Sequence, residues 1–183
     1  ITLIYFFMNE LELIAENIKN KNLDKALKLC ELNINSNNKT IIFNFIGVIN
    51  FIKKDLVNAE KNFLDAIKID DKFQDPIRNL CVIYTNTKKF DKLLNFSIKL
   101  YKLDNSNPLN IFQIGSAYEL NKNYDDAIKY YEEFINTNGS DKKRGFNNIG
   151  NIYLRKGKPK ISIKYFSKAL EFDRNNKILI NNV

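Results

Sequence analysis

Apolar residues along this chain recur at steps of three and four, and the recurrence itself repeats. In Ile77, Leu80, Cys81, Tyr84 and again in Ile111, Ile114, Gly115, Tyr118 the apolar positions fall on one face of an α-helix. A polar, turn-forming break follows each such run: Lys53-Lys54-Asp55, Lys88-Lys89-Phe90-Asp91, Asn121-Lys122-Asn123-Tyr124-Asp125 and Lys156-Gly157-Lys158-Pro159. Three of the four breaks place an Asp where it caps or charges the N-terminus of a second helix. The small residues Gly47, Cys81, Gly115 and Gly150 stand 34, 34 and 35 residues apart. Twelve residues beyond each come Ala59, Leu93, Ala127 and Ser162, four later Phe63, Ser97, Tyr131 and Phe166, and three later Ala66, Leu100, Phe134 and Ala169. A fixed period of this length predicts stacked two-helix units. Small residues at facing positions, Gly47 against Ala59 and Gly115 against Ala127, predict close approach of paired helices, with the aromatics filling the space toward the next unit.

These positions resemble the tetratricopeptide repeat, whose motif runs from a large residue through a Leu-Gly pair, a Tyr, an Ala, an aromatic and a second Ala to a closing Pro. The large residue here is Phe43, Ile77, Ile111 or Phe146, and the Tyr is Tyr84, Tyr118 or Tyr153. Asp71, Asn105, Gly139 and Arg174 stand where the closing Pro would be, which predicts a less stiff turn between units. The 35-residue RNA-reading helical repeat has a similar length but lacks small residues at both Ala positions, and Ala59 with Ala66 argues against it. The resemblance implies an all-α, right-handed solenoid with units at about 8–39, 40–73, 74–107, 108–142 and 143–176. Residues 177–183 resemble the opening of a further, truncated unit, and residues 1–7, upstream of Met8, read as outside the fold.

Composition fits an intracellular, cytoplasmic helical protein: 44% hydrophobic residues supply a core, and six Gly and three Pro leave little for linkers. The two cysteines, Cys30 and Cys81, fall in core slots and read as buried free thiols. With no His and no zinc spacing, catalysis, metal and cofactor are not expected. The acidic pairs Asp125-Asp126 and Glu132-Glu133 diverge by about 100° on a helix, so neither converges on a substrate. The apolar run Ile1 to Phe7 is too short to span a bilayer, so no membrane insertion is expected.

Net charge changes the picture once it is located. Residues 1–140 hold 18 Lys and Arg against 18 Asp and Glu, so the excess of +8 lies in residues 141–168. Lys142, Lys143, Arg144, Arg155, Lys156, Lys158 and Lys160, with Lys164 and Lys168, there oppose Asp141 alone. This basic patch suggests an acidic peptide, a phosphorylated partner or a polyanion. Its aromatics Phe146, Tyr153 and Phe166 occupy core slots, which argues against nucleic acid.

The resemblance further implies that first helices line a concave groove, with the residue before the Leu-Gly pair pointing into it. That slot holds Phe45, Asn79, Gln113 and Asn148, and three successive amides are suited to hydrogen-bond the backbone of an extended peptide. Asn44, Arg78, Phe112, Ser116, Arg144, Asn147 and Asn151 are further groove candidates, with Val48, Val82 and Glu119 beside them. The carboxylate clamp of the family's chaperone-binding members is incomplete: its five slots hold Arg78, Val82, Gln113, Arg144 and Asn148. The expected function is a non-catalytic interaction scaffold for a peptide or helix. The alternative is the N-terminal recognition region of a larger bacterial enzyme, such as a glycosyltransferase or sulfotransferase. Partner identity and oligomeric state are not encoded legibly.

Overall fold

The computed structural model describes residues 9–172, so the readings of residues 1–7 and 177–183 lie outside the described residues. Every secondary-structure element among the described residues is an α-helix. The chain divides into two compact units. The first, to Thr87, holds α1 (Glu10–Lys19), α2 (Leu23–Leu32), α3 (Lys39–Ile52), α4 (Leu56–Ile69) and α5 (Gln74–Asn86). The second, from Lys88, holds α6 (Phe90–Leu103), α7 (Pro108–Leu120), α8 (Tyr124–Asn136), α9 (Lys142–Arg155) and α10 (Pro159–Glu171). Within the first unit α1 packs on α2 and α3 on α4, and within the second α7 packs on α8 and α9 on α10.

The turns inside the pairs share one device. Lys21, Lys54, Lys88 and Lys122 take φ of 60°, 65°, 55° and 61°, and Gly157 takes 68°. This left-handed residue lets the next amide reach back along the helix just ended: Asn22 N–H donates to Asn17 O at 2.8 Å, Asp55 to Asn50 O at 2.9 Å, Asn123 to Tyr118 O at 3.0 Å and Lys158 to Tyr153 O at 2.9 Å. Such a bond satisfies a carbonyl that the helix end would otherwise leave open. Of the three expected Asp caps, only Asp55 accepts from a helix N-terminus, at Asn58 N. Asp91 and Asp125 sit one turn-position further in and act through charge, while Asn123 supplies the cap of α8.

Packing between paired helices is set by glycine and its aromatic partner. A Cβ on Gly47 would lie 2.5 Å from Phe63 Cε1, and one on Gly150 would lie 2.6 Å from Phe166 Cε1. The space a side chain would need is therefore filled by the ring from the same pair, rather than kept open for close approach to Ala59. In the first pair the sizes are exchanged. Ile14 stands in the glycine slot and Cys30 in the aromatic slot, both fully buried in one core with Ala26, Ile42 and Ile49. In the second unit the core is Ala127, Ile128, Tyr131, Ile135, Ile149 and Ile152, with Phe112, Tyr118, Phe146 and Tyr165 packed against it.

The turn between α6 and α7 is held without the missing proline. Asn110, fully buried, donates from Nδ2 to Leu100 O at 3.2 Å and to Asp104 O at 3.0 Å. Asp104 in turn accepts from Ser106 N–H and from the Ser106 hydroxyl, at 3.2 and 2.8 Å. Side-chain hydrogen bonds thus supply the stiffness that a proline ring would give.

Candidate peptide-binding face

In the first unit the face in question is made by α3 and α5, which pack against each other. Asn44 lies beneath it, only 6% exposed, and its Oδ1 accepts from Asn79 Nδ2 at 3.1 Å. Asn79 therefore spends one of its two amide hydrogens on an internal bond. Arg78 is half-buried and donates to Gln74 Oε1 at 2.6 Å, which fixes it along its own helix. Val82 is 48% exposed and Val48 half-buried, so the face has apolar as well as amide positions.

In the second unit the face is made by α7 and α9, tied together by side chains one repeat apart. Arg144 lies over the Phe112 ring, its guanidinium carbon 3.7 Å from the centroid. Phe112 is itself wedged against Tyr131 and Phe134, with centroid separations of 5.3 and 5.1 Å. Glu119 joins the other ends, accepting from Arg155 at 2.7 Å on Oε1 and from the Tyr131 hydroxyl at 2.8 Å on Oε2. Burial first, and then the Glu119 carboxylate, hold the Tyr131 phenol well above the usual tyrosine range. The side chains of Asn148 and Ser116, on α9 and α7, act in the opposite direction on the phenol.

Each expected groove residue now has a place. Asn148, Ser116 and Gln113 are half-buried, and Asn151 and Arg144 are exposed. Asn147 is half-buried and its Oδ1 has no hydrogen-bond partner among the described residues. The three amides of the expected ladder are divided between the units, Asn79 in the first and Gln113 and Asn148 in the second. Of the basic patch, Arg155 is neutralised by Glu119 and Lys156 by Asp125, at 2.7 and 2.5 Å. Lys142, Lys158 and Lys160 are exposed and Lys143 half-buried. No carboxylate pairs with Arg144 among the described residues, and cation–π contact places its charge without cancelling it.

Sequence reasoning did not find the Arg144–Phe112 stack, the Glu119–Arg155 pair or the Tyr131 network. Their signal was available: they join residues 32, 36 and 12 apart, that is, near one period or the half-repeat from first helix to second. Among the described residues no group of three or more His, Cys, Asp and Glu is disposed to hold a metal, and no helix is long and apolar enough to cross a membrane.

Models of the tetratricopeptide repeat match residues 110–141 and 144–176. These two segments carry the tetratricopeptide repeat. Among solved structures, MamA AMB-1 is 15% identical with a TM-score of 0.74, and the match covers 95% of each chain. MamA from Desulfovibrio magneticus RS-1 is 13% identical with a TM-score of 0.78, covering 93% of this chain and 98% of that one. YrrB, described as a TPR protein with an unusual peptide-binding site, is 14% identical with a TM-score of 0.79, covering 94% of this chain and 89% of that one. No curated protein matches the sequence. At these identities the structural likeness establishes the fold alone, an all-α solenoid of helical repeats.

Proposed function

We propose that this tetratricopeptide-repeat chain is a non-catalytic scaffold that binds an extended peptide along its first-helix faces. The observation that carries the reading is the α7–α9 face. Arg144 is held on Phe112 with no carboxylate partner among the described residues, on the two helices that also carry Gln113 and Asn148. Arg144 is placed by the ring before a ligand arrives, so little of its rotamer freedom is lost on binding. Amide groups read a peptide backbone and Arg144 selects an acidic side chain, so the partner expected on this face is an acidic peptide. A few hydrogen bonds at about 0.5 to 1.5 kcal/mol each supply part of a micromolar affinity. Contacts to the ring of Phe112 supply more.

The reading is tested with peptides selected on the whole chain from a random display library. Affinities are then compared between the wild type and the Gln113→Ala/Arg144→Ala variant, which leaves the Tyr131 network intact. The expected outcome is a loss of about tenfold or more with an unchanged melting curve. Selected peptides that bind the variant as well as the wild type, or that show no enrichment of acidic residues, overturn the reading.

A further inference from the structure

A second surface lies on the outer side of α10. Lys160, Lys164 and Lys168 follow at intervals of four, so they emerge from one side of the helix over about 12 Å, and all three are exposed. The opposite side of α10 is the packed one. Ser162 and Ala169 are 1% and 0% exposed there, and the Ser162 hydroxyl donates to Gly150 O at 2.8 Å.

The repeat register shows what is unusual about this stripe. At the same three positions α4 carries Val57, Lys61 and Asp65, α6 carries Asp91, Asn95 and Lys99, and α8 carries Asp125, Lys129 and Glu133. Each of those helices includes an acid, and the acids of α8 are used: Asp125 pairs with Lys156, and Glu133 accepts from the Tyr101 hydroxyl at 2.8 Å. In α10 all three positions are Lys. Among the described residues no carboxylate pairs with Lys160 or Lys164, and the Lys168 ammonium lies over the Phe146 and Tyr165 rings at 5.7 and 5.5 Å, positioned but still charged.

Apolar surface accompanies the charge. Ile161 and Ile163 are 37% and 45% exposed, and on the helical wheel they fall on either side of the lysines. A hollow of about 340 Å³, lined by Gly157, Lys158, Pro159, Lys160 and Ile161, opens at the N-terminal end of the stripe. A solvated face needs neither the flanking isoleucines nor the hollow, whereas a protein partner uses both.

We propose that this face of α10 docks an acidic helix of a partner protein, with carboxylates at every fourth residue opposite Lys160, Lys164 and Lys168 and apolar side chains against Ile161, Ile163 and the hollow. A helix repeats its side chains at the same rise as the lysines, so the two charge rows stay in register. Complementary rows of this kind set orientation and association rate as well as affinity. The inference rests on the reading of the chain as a protein-interaction scaffold but uses a face other than the first-helix face.

The test uses the whole chain and a fluorescein-labelled synthetic helix with Glu at every fourth position and Leu beside it, alongside a control with Gln in place of Glu. Fluorescence anisotropy is expected to show binding of the Glu helix, weakened about tenfold or more by Lys160→Glu/Lys164→Glu and by raising salt to about 0.5 M. Binding is expected to be unchanged by Gln113→Ala/Arg144→Ala, which separates this face from the groove. Equal binding of the Gln helix, or no effect of the charge reversal, overturns the proposal. So does a loss caused by Gln113→Ala/Arg144→Ala alone, which would assign acidic docking to the first-helix face and leave that reading standing. Capture of the chain by phosphatidylserine vesicles without binding of the Glu helix would also overturn it, in favour of an anionic membrane surface.

Discussion

Gly47 is glycine because Phe63 occupies the place of its side chain. Adding one methyl at a site where the nearest ring carbon would be 2.5 Å away forces the ring out of its rotamer or the helices apart. Gly47→Ala is therefore expected to destabilise the protein by about 1 to 3 kcal/mol, measured by urea denaturation. Pairing it with Phe63→Leu removes the obstructing ring and is expected to recover part of the loss, a coupling that independent sites would not show. Gly115→Ala should cost less, since the nearest Tyr131 carbons are 3.0 Å away. A Gly47→Ala protein as stable as the wild type would mean that Phe63 has room to move. The same reasoning explains the exchanged pair, Ile14 and Cys30, where a large residue in the glycine slot is matched by a small one in the aromatic slot. Such an exchange keeps total core volume near constant, which is what a packed interior tolerates. The thiol of Cys30 is pushed up to about 12 by burial and then by Glu31, so it is an unreactive core group.

Individual helices end and connect through backbone devices that the repeat pattern foreshadowed only in part. The period located every turn, because apolar spacing breaks where a helix stops. It did not reveal that lysine, a residue that resists positive φ, sits at the left-handed position of four turns. Nothing in composition marks such a lysine, because the backbone bond that holds it there involves no side chain. Relieving a left-handed residue is worth about 1 to 2 kcal/mol, and the extra freedom of glycine in the unfolded chain takes back about 0.5 to 1. Lys122→Gly is thus expected to stabilise by about 0.5 to 1 kcal/mol and to raise the melting temperature, and a lowered melting temperature would count against a strained turn. The opposite sign is expected at the α6–α7 turn. Asn110→Ala leaves Leu100 O and Asp104 O without their side-chain donor in a buried site, at a cost of about 1 to 3 kcal/mol. If Asn110→Ala melts as the wild type does, the turn is held by the Asp104–Ser106 bonds instead. The missing closing proline, read from the sequence as a loss of stiffness, is here offset by a buried asparagine whose role no residue count could disclose.

For the molecule as a whole, charge and titration follow from which groups are present and what surrounds them. The fold was legible because core slots recur with the period. The candidate face was legible as a set of positions but not as a set of contacts, since partners such as Arg144 and Phe112 meet only after the repeats stack. Stability against pH combines both levels. With no His in the chain, no side chain with an ordinary pKa titrates between pH 6 and 8. On the acid side Asp24, Asp55, Asp104 and Asp125 are held below their ordinary value, chiefly by hydrogen bonds from Lys53, Asn58, Ser106 and Lys156 respectively. Their contribution is complete above that ordinary value and is lost as pH falls below it. On the alkaline side Tyr101 is pushed up to about 12 by burial and by its bond to Glu133, and Cys30 likewise reaches about 12, while Tyr84 and Tyr131 are also raised. These groups favour the folded state while protonated, so their contribution is intact below the ordinary values of 9.0 and 10.0 and disappears as pH climbs through about 12. The urea midpoint is accordingly expected to stay flat from about pH 6 to 8 and to fall steeply above about pH 9 to 10. Tyr101→Phe is expected to start lower by about 1 kcal/mol, from the lost bond to Glu133, and then to fall less steeply, because one fewer raised phenol must ionise. A midpoint that drifts between pH 6 and 8 would show that a group outside this set controls folding, and an unchanged alkaline slope in Tyr101→Phe would remove Tyr101 from it.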